Sequence, residues 1–239
     1  MAFIDDVKNK VNTFFKEPYK LTETKTVPST QGVKLTFGNS GLLAELCFIF
    51  IDIRASSKLH AIYGVQKAAK IYQSFHAINV KIITRLGGEV RSFDGDRIMA
   101  VFSGDEKCSN ATKAAMQIRW AIENILNPNL KTQINPNRGI QIGVGIDYGE
   151  TLITKVGKGR NTNNHDLIWI GQACNNASHL CQEANNSIII SEKVYKKLSD
   201  SIKFSITSKR KQNRFKEKKI TLKTGTFVKC FDTNNAFTI

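Results

Sequence analysis

The chain has 239 residues, 41% of them apolar, and a formal net charge of +15. That length and apolar share allow one sizeable domain with short extensions and an ordinary core. No apolar run approaches the roughly 20 residues of a membrane span, and the charged N-terminus lacks an apolar signal core, so a soluble, cytosolic chain is expected.

Residues 1–40 read as an amphipathic helix followed by an extended arm. Phe3, Ile4, Val7, Val11, Phe14 and Phe15 recur at helical spacing, and Pro18 and Pro28 stop the helix. Such a helix either packs on its own domain or makes a contact between subunits. Residues 41–200 carry the main pattern. "ELCFIFIDI" (45–53) is a buried strand, and residues 57–88 form one long helix closed by Gly87 and Gly88. Residues 89–104 make two short strands around the tight turn Asp94-Gly95. A second helix covers 108–128, with Ser109 as a possible cap and Pro128 after its end. Residues 139–157 read as strand, turn and strand, and 171–185 as a third helix. The strand "SIIIS" (187–191) and a short helix, "EKVYKKLSDSI", follow. Residues 201–239 end the domain as basic strands. Strands and helices interleave through both hairpins and crossovers. The expected class is α+β: one mixed, mainly antiparallel sheet with helices packed on it.

Two features bound the partners. Cys47, Cys108, Cys174, Cys181 and Cys230 are odd in number and lack CxxC spacing, so reduced thiols are expected and no zinc site. From Ser201 onward, ten Lys or Arg stand against Glu217 and Asp232, a local +8. The densest stretch, Lys209 to Lys219, is a solvated hairpin or loop, or a surface that attracts phosphate or a partner. Nucleic-acid binding is not expected, because no recognition fold or aromatic platform accompanies the charge.

The chemistry sits at strand ends. Asp52 closes an apolar strand, and Asp96 lies in the turn of "FDGDRIMAVF". A first strand lying beside that hairpin would bring both carboxylates to one sheet edge. Two or three hard oxygen ligands with open positions suit Mg²⁺ or Mn²⁺ carried by a polyphosphate. Arg54, Ala55, Ser56 and Ser57 then lead into a helix whose free N–H groups would cradle an anion. The competing reading makes each Asp a cap or turn residue.

Four stretches in order favour the site. "FIFIDIRASS", "GGEVRSFDGDRIMAVFSG", "VGIDYGETLITKVG" and "IGQACNNASHL" together resemble the class III nucleotidyl cyclase catalytic domain, over about Cys47 to Leu198. The resemblance implies two divalent ions on Asp52 and Asp96, helped by the Ile53 carbonyl. It makes Asn175 the residue that orients the ribose. The 3′-oxygen then attacks the α-phosphorus in line and pyrophosphate leaves. It also implies a homodimer, with the aspartates from one chain and Asn175 from the other. The family's transition-state arginine falls at His179, which lacks the guanidinium fork. Loss of a comparable donor costs on the order of 10²–10³ in rate. Either His179 serves, or a cation such as Arg54, Lys155 or Arg160 replaces it, or activity is low. Lys223 matches the family's triphosphate lysine weakly.

The base-reading positions fall at Ser92 and Ile168, and neither fits a purine code. That pattern resembles the pyrimidine cyclases of bacterial anti-phage systems, in which an R-x-x-S arrangement follows the first metal aspartate. Arg54 and Ser57 match it, and Arg54 can donate to pyrimidine carbonyls; in the competing reading it holds phosphate or makes a structural salt bridge. The resemblance implies UTP in preference to CTP, a cyclic UMP second messenger in phage defence, and a separate effector protein. Two other readings stay open: a purine cyclase with an unusual pocket, and an inactive nucleotide-binding regulatory module.

Overall fold

The computed structural model describes residues 2–29, 35–135, 139–157, 165–207, 210–221 and 227–239. It begins with α1 (Ala2–Lys16). The apolar stripe of α1, from Phe3 to Phe15, stays 46–87% exposed. Packing on its own domain, one of the two expected roles, is therefore not what α1 does. Among the described residues it is fastened near its end, where Asn39 Nδ2 donates to the carbonyls of Phe14 and Glu17. The arm is more than extended chain: β1 (Lys20–Glu23) pairs in parallel with the start of β2 (Ser40–Ile53).

Strand β2 starts earlier than its apolar run suggests. Its period of two sends Cys47, Ile49, Ile51 and Ile53 to one face, and Leu46, Phe48 and Phe50 to the other. Both faces are covered, which is why the sequence reads as an uninterrupted apolar run. A 3₁₀ turn (Ser56–Lys58) and the short α2 (Leu59–Tyr63) follow. The single helix expected over 57–88 is broken here. Gly64 adopts φ +78°, outside the helical region, and α3 (Val65–Arg85) starts beyond it. Ile71, Phe75 and Ile83 of α3 are at most 1% exposed, and each such side chain stabilises the fold by about 1.5–3 kcal/mol.

The hairpin of β3 (Glu89–Asp94) and β4 (Arg97–Phe102) pairs Asp94 with Arg97. Its loop residues are thus Gly95 and Asp96, one step later than expected. Helix α4 (Lys107–Ala121) runs through a π turn (Ile122–Leu126) into α5 (Asn127–Gln133). Pro128 lies in the first turn of α5, just past the π turn, rather than after a helix end. Ser109 is inside α4 and does not cap it; its Oγ accepts from the Ser199 N–H.

Residues Ile142–Val156 form one strand, β5, correcting the expected strand, turn and strand. Twelve consecutive pairs with β2, from Ile53–Ile142 to Leu42–Ile153, leave no room for a turn at Tyr148-Gly149. β6 (Asp166–Ile170), unforeseen, pairs with the far half of β5. Then come α6 (Gln172–Glu183), β7 (Ile188–Ser191), α7 (Glu192–Lys197) and α8 (Asp200–Lys203), the last two dividing the expected short helix. β8 (Phe204–Thr207) and β9 (Arg210–Asn213) make a separate hairpin. β10 (Lys216–Thr221) and β11 (Phe227–Thr233) rejoin the main sheet.

The described residues give a main sheet in the order β10-β11-β7-β5-β2-β4-β3, with β1 beside β2 and β6 beside β5. Most pairings are antiparallel, as expected; β5–β7 and β1–β2 are parallel. Helices α3 and α4 cover one face and α6 the other. Among the described residues no helix is long and apolar enough to cross a membrane, and all five cysteines are free thiols.

Candidate active site

Pairing of β2 with β4 sets Asp52 opposite Arg97, and Asp96 immediately precedes Arg97 in the hairpin loop. The backbone closes the juxtaposition, since the Ile53 N–H donates to the Asp96 carbonyl at 3.4 Å. Asp52 continues the Phe48–Phe50 face, so its carboxylate emerges at the sheet end on the α6 side. The expected convergence of the two carboxylates is what the fold builds. Burial, then the hydrogen bond and charge of Asp96, push the Asp52 carboxyl up to about 6, while Arg54 and Arg97 pull it back. Two carboxylates that crowd each other in this way make a hard-oxygen pair that a divalent cation relieves. The residues present therefore fit Mg²⁺ or Mn²⁺.

Arg54 turns back onto this pair. Its Nη2 lies 2.6 Å from Asp52 Oδ2, and its Nη1 donates to the Gln182 carbonyl at 3.3 Å. Gly143 makes that possible, because a Cβ there would come within 2.8 Å of Arg54 Cζ and 2.5 Å of the Ala184 carbonyl oxygen. Arg97 supplies a second guanidinium, over the Phe50 ring and 3.4 Å from Ser178 Oγ. Arg97 was not singled out from sequence, although its place next to Asp96 on an outgoing strand was the available signal.

Helix α6 carries the other candidates. It presses directly on β5: a Cβ on Gly145 would lie 2.1 Å from the Ala177 carbonyl oxygen and the Cys181 N. Between Gly145 and Gly149 sits Asp147, only 1% exposed. Its carboxylate accepts from Asn176 Nδ2 at 2.9 Å, from the Tyr148 N–H at 2.8 Å, and from Ser191. Burial pushes the Asp147 carboxyl above the usual range, and those donors oppose the shift. Asp147 thus pins the rotation of α6 and leaves its neighbour Asn175 exposed. Gly143 and Gly145, two apart on one face of β5, were the unread sign that backbone from α6 and its C-terminal end lies against this strand. His179, one turn after Asn175, has its Nε2 3.2 Å from the Thr221 carbonyl oxygen.

The remaining candidates are scattered. Ser57 is exposed in the 3₁₀ turn, so the anion cradle expected at the start of a long helix is instead a tight turn before a five-residue helix. Ser92 is exposed on β3 and Ile168 is 42% exposed on β6. Lys155 holds its Nζ over the Phe37 ring. Arg160 and Lys223 lie outside the described residues. The fold brings Asp52, Asp96, Arg54 and Arg97 together. Among the described residues, no side-chain hydrogen bond joins Asn175 or His179 to that group.

The α6 clamp gives a test by exchange. Asp147→Ala leaves Asn176 and the Tyr148 N–H without an acceptor, at a cost of about 1–3 kcal/mol. The thermal midpoint should fall by about 2–10 °C. Asn176→Asp, which faces two carboxylates at each other, should fall similarly. The reciprocal variant Asp147→Asn/Asn176→Asp keeps a donor opposite an acceptor and should recover most of the loss. A double variant no better than the singles in calorimetry would show that this hydrogen bond does not hold α6.

A family model described as "Adenylate and Guanylate cyclase catalytic domain" matches residues 40–228. A protein named uridylate cyclase from Burkholderia cepacia is 31% identical over 206 residues, covering 86% of this chain and 88% of its own. Another of that name, from Xanthomonas perforans, is 33% identical over 207 residues, covering 86% and 87%. Among solved structures, the guanylyl cyclase Cya2 matches with TM-score 0.69 at 15% identity, over 82% of this chain and 95% of its own. The adenylyl cyclase CyaB from P. aeruginosa matches with TM-score 0.69 at 18% identity, over 82% and 97%. These two structures are evidence of fold.

Proposed function

The chain belongs to the adenylate and guanylate cyclase catalytic domain family and is a class III nucleotidyl cyclase; from that premise we propose that it converts UTP to 3′,5′-cyclic UMP and pyrophosphate. The observation that carries the proposal is the Asp52–Asp96 pair with Arg54 folded against it. The names of the relatives at 31% and 33% identity support the pyrimidine base. Asp52, Asp96 and the Ile53 carbonyl hold two divalent ions, Mn²⁺ or Mg²⁺. When bound, these ions supply Lewis acidity at the ribose 3′-hydroxyl and the triphosphate. Arg54, released from Asp52, donates to a pyrimidine carbonyl, with Ser57 beside it. Ser92 and Ile168 occupy the purine-reading positions, and an isoleucine offers adenine or guanine no hydrogen bond.

Asn175 is exposed on α6 and makes no side-chain hydrogen bond among the described residues, which suits a residue that orients the ribose of a site on a second copy. The working unit is a homodimer with the site at its interface. His179 takes the transition-state arginine position, and Lys223 is the candidate for the triphosphate. The cyclic nucleotide then acts as a second messenger in phage defence, read by a separate effector protein. A second reading, an inactive nucleotide-binding module, is favoured by one observation: the Thr221 carbonyl already engages His179.

The purified protein is incubated with Mn²⁺ and separately with ATP, GTP, CTP or UTP, and products are identified by mass spectrometry. Cyclic UMP from UTP alone, absent in Asp96→Ala, is expected. Cyclic CMP, AMP or GMP as the main product would replace the base assignment and keep the chemistry. No cyclic product from any nucleotide would favour the inactive module.

A further inference from the structure

A cavity of about 600 Å³ lies behind the turn that carries Arg54, between α2, the π turn, α5 and the lead-in to β5. Four cations line it, Arg54, Lys58, Arg119 and Lys131, against one carboxylate, Glu123. Arg119 is only 7% exposed. It is held by the Glu123 carboxylate and the Asn186 carbonyl, and its Nε has no partner. A guanidinium this buried with one unsatisfied N–H is costly unless the site has another use for the charge. Lys58 and Lys131 have no carboxylate partner among the described residues. The rest of the wall is apolar, from Leu59, Ile122 and Ile142. The π turn that forms one side is itself an uncommon backbone feature, often found where a helix has been reshaped for binding.

We infer that this cavity is a second anion site, separate from the carboxylate pair, that takes a di- or triphosphate group. Its volume lies in the range of small-molecule sites. Excess cations at a partly enclosed site raise the local concentration of anions. The group can come from free pyrophosphate or from the phosphates of a nucleotide, whose ring would lie on the apolar wall. Arg54 links the cavity to the metal site. Arg54 is among the residues that line the cavity, and its guanidinium is ion-paired to Asp52. An anion in the cavity attracts the guanidinium that holds Asp52, so the two sites are coupled. The inference rests on charge and geometry and does not require the cyclase reaction.

The test is equilibrium binding of radiolabelled pyrophosphate, and separately of ADP, to the full chain in EDTA, so that no metal-dependent site contributes. Saturable binding of either probe, with one equivalent per chain, is expected. The Lys58→Glu/Lys131→Glu variant should bind at least about tenfold more weakly, as removal and reversal of two partly screened charges predicts. Its circular dichroism and thermal midpoint should stay unchanged. Asp52→Asn should bind several-fold more tightly, because it loosens Arg54. Pyrophosphate alone binding would identify the free anion as the ligand, and ADP binding more tightly would identify a nucleotide. No saturable binding of either probe, or binding indifferent to Lys58→Glu/Lys131→Glu, would overturn the site. Unchanged affinity in Asp52→Asn would overturn the coupling through Arg54.

Discussion

Asp52→Asn is expected to remove cyclic-nucleotide formation and to make the protein more stable. The carboxylate pair explains both effects. An asparagine keeps the shape of Asp52 but supplies no charge to a divalent ion, so turnover with Mn²⁺ and UTP should fall by at least about 10³. Stability moves the other way in EDTA. Burial and Asp96 push the Asp52 carboxyl from 3.8 to about 6. An acid whose pKa is higher in the folded state favours folding less once pH exceeds both values. At neutral pH the penalty is of order 1–3 kcal/mol, and it disappears as pH falls through 6 towards 3.8. The variant should therefore unfold about 2–10 °C higher at pH 7.5. That gain should vanish near pH 4. Loss of activity with loss of stability at neutral pH would mean that the Arg54 ion pair outweighs the repulsion, and that the pair is structural.

The carboxylate site was legible because period two is a strong rule. A strand that alternates through Leu46, Phe48 and Phe50 must bring Asp52 out on the same face, and a hairpin bonded to it must bring its loop alongside. What was not legible depended on three-dimensional proximity. The break at Gly64 looks like a tolerated helix glycine until its φ of +78° is seen. The continuity of β5 was hidden by Gly149, which reads as a turn residue but lies inside the strand. Asp147 lay inside a quoted stretch but was given no role there, and its importance appears only when Asn176 of α6 reaches it. Arg54 was open to two readings, a contact to base or triphosphate and a structural salt bridge; that it pairs with Asp52 here depends on Gly143, far away in sequence, which leaves space for it. The stripe on α1 was evident from helical spacing, but nothing in that spacing could say that the described domain would leave it uncovered.

Mixing two inactive chains should restore activity if the site is shared between copies. Asp96→Ala removes a metal carboxylate, and Asn175→Ala removes the proposed ribose contact from α6. Each homodimer should retain no more than about 1% of the wild-type rate. In a homodimer with two sites, each site takes Asp52 and Asp96 from one chain and Asn175 from the other. A mixed dimer places both defects in one site and leaves the other intact. Random assembly at equal amounts makes half of the dimers mixed, so about a quarter of the sites work and about a quarter of the wild-type rate returns. Co-expression with two different affinity tags, followed by sequential purification, isolates the mixed dimer and raises the expected rate to about half. The separation of residues in the fold motivates the experiment: Asp52, Asp96 and Arg54 form one group, while Asn175 stands exposed on α6. A chain that gathered all of its catalytic groups in one copy would show no recovery at any mixing ratio. That result would sink the shared site while leaving the metal pair untouched. Recovery of the rate would fix which face of α6 meets the second copy, because only the side that presents Asn175 can complete the intact site.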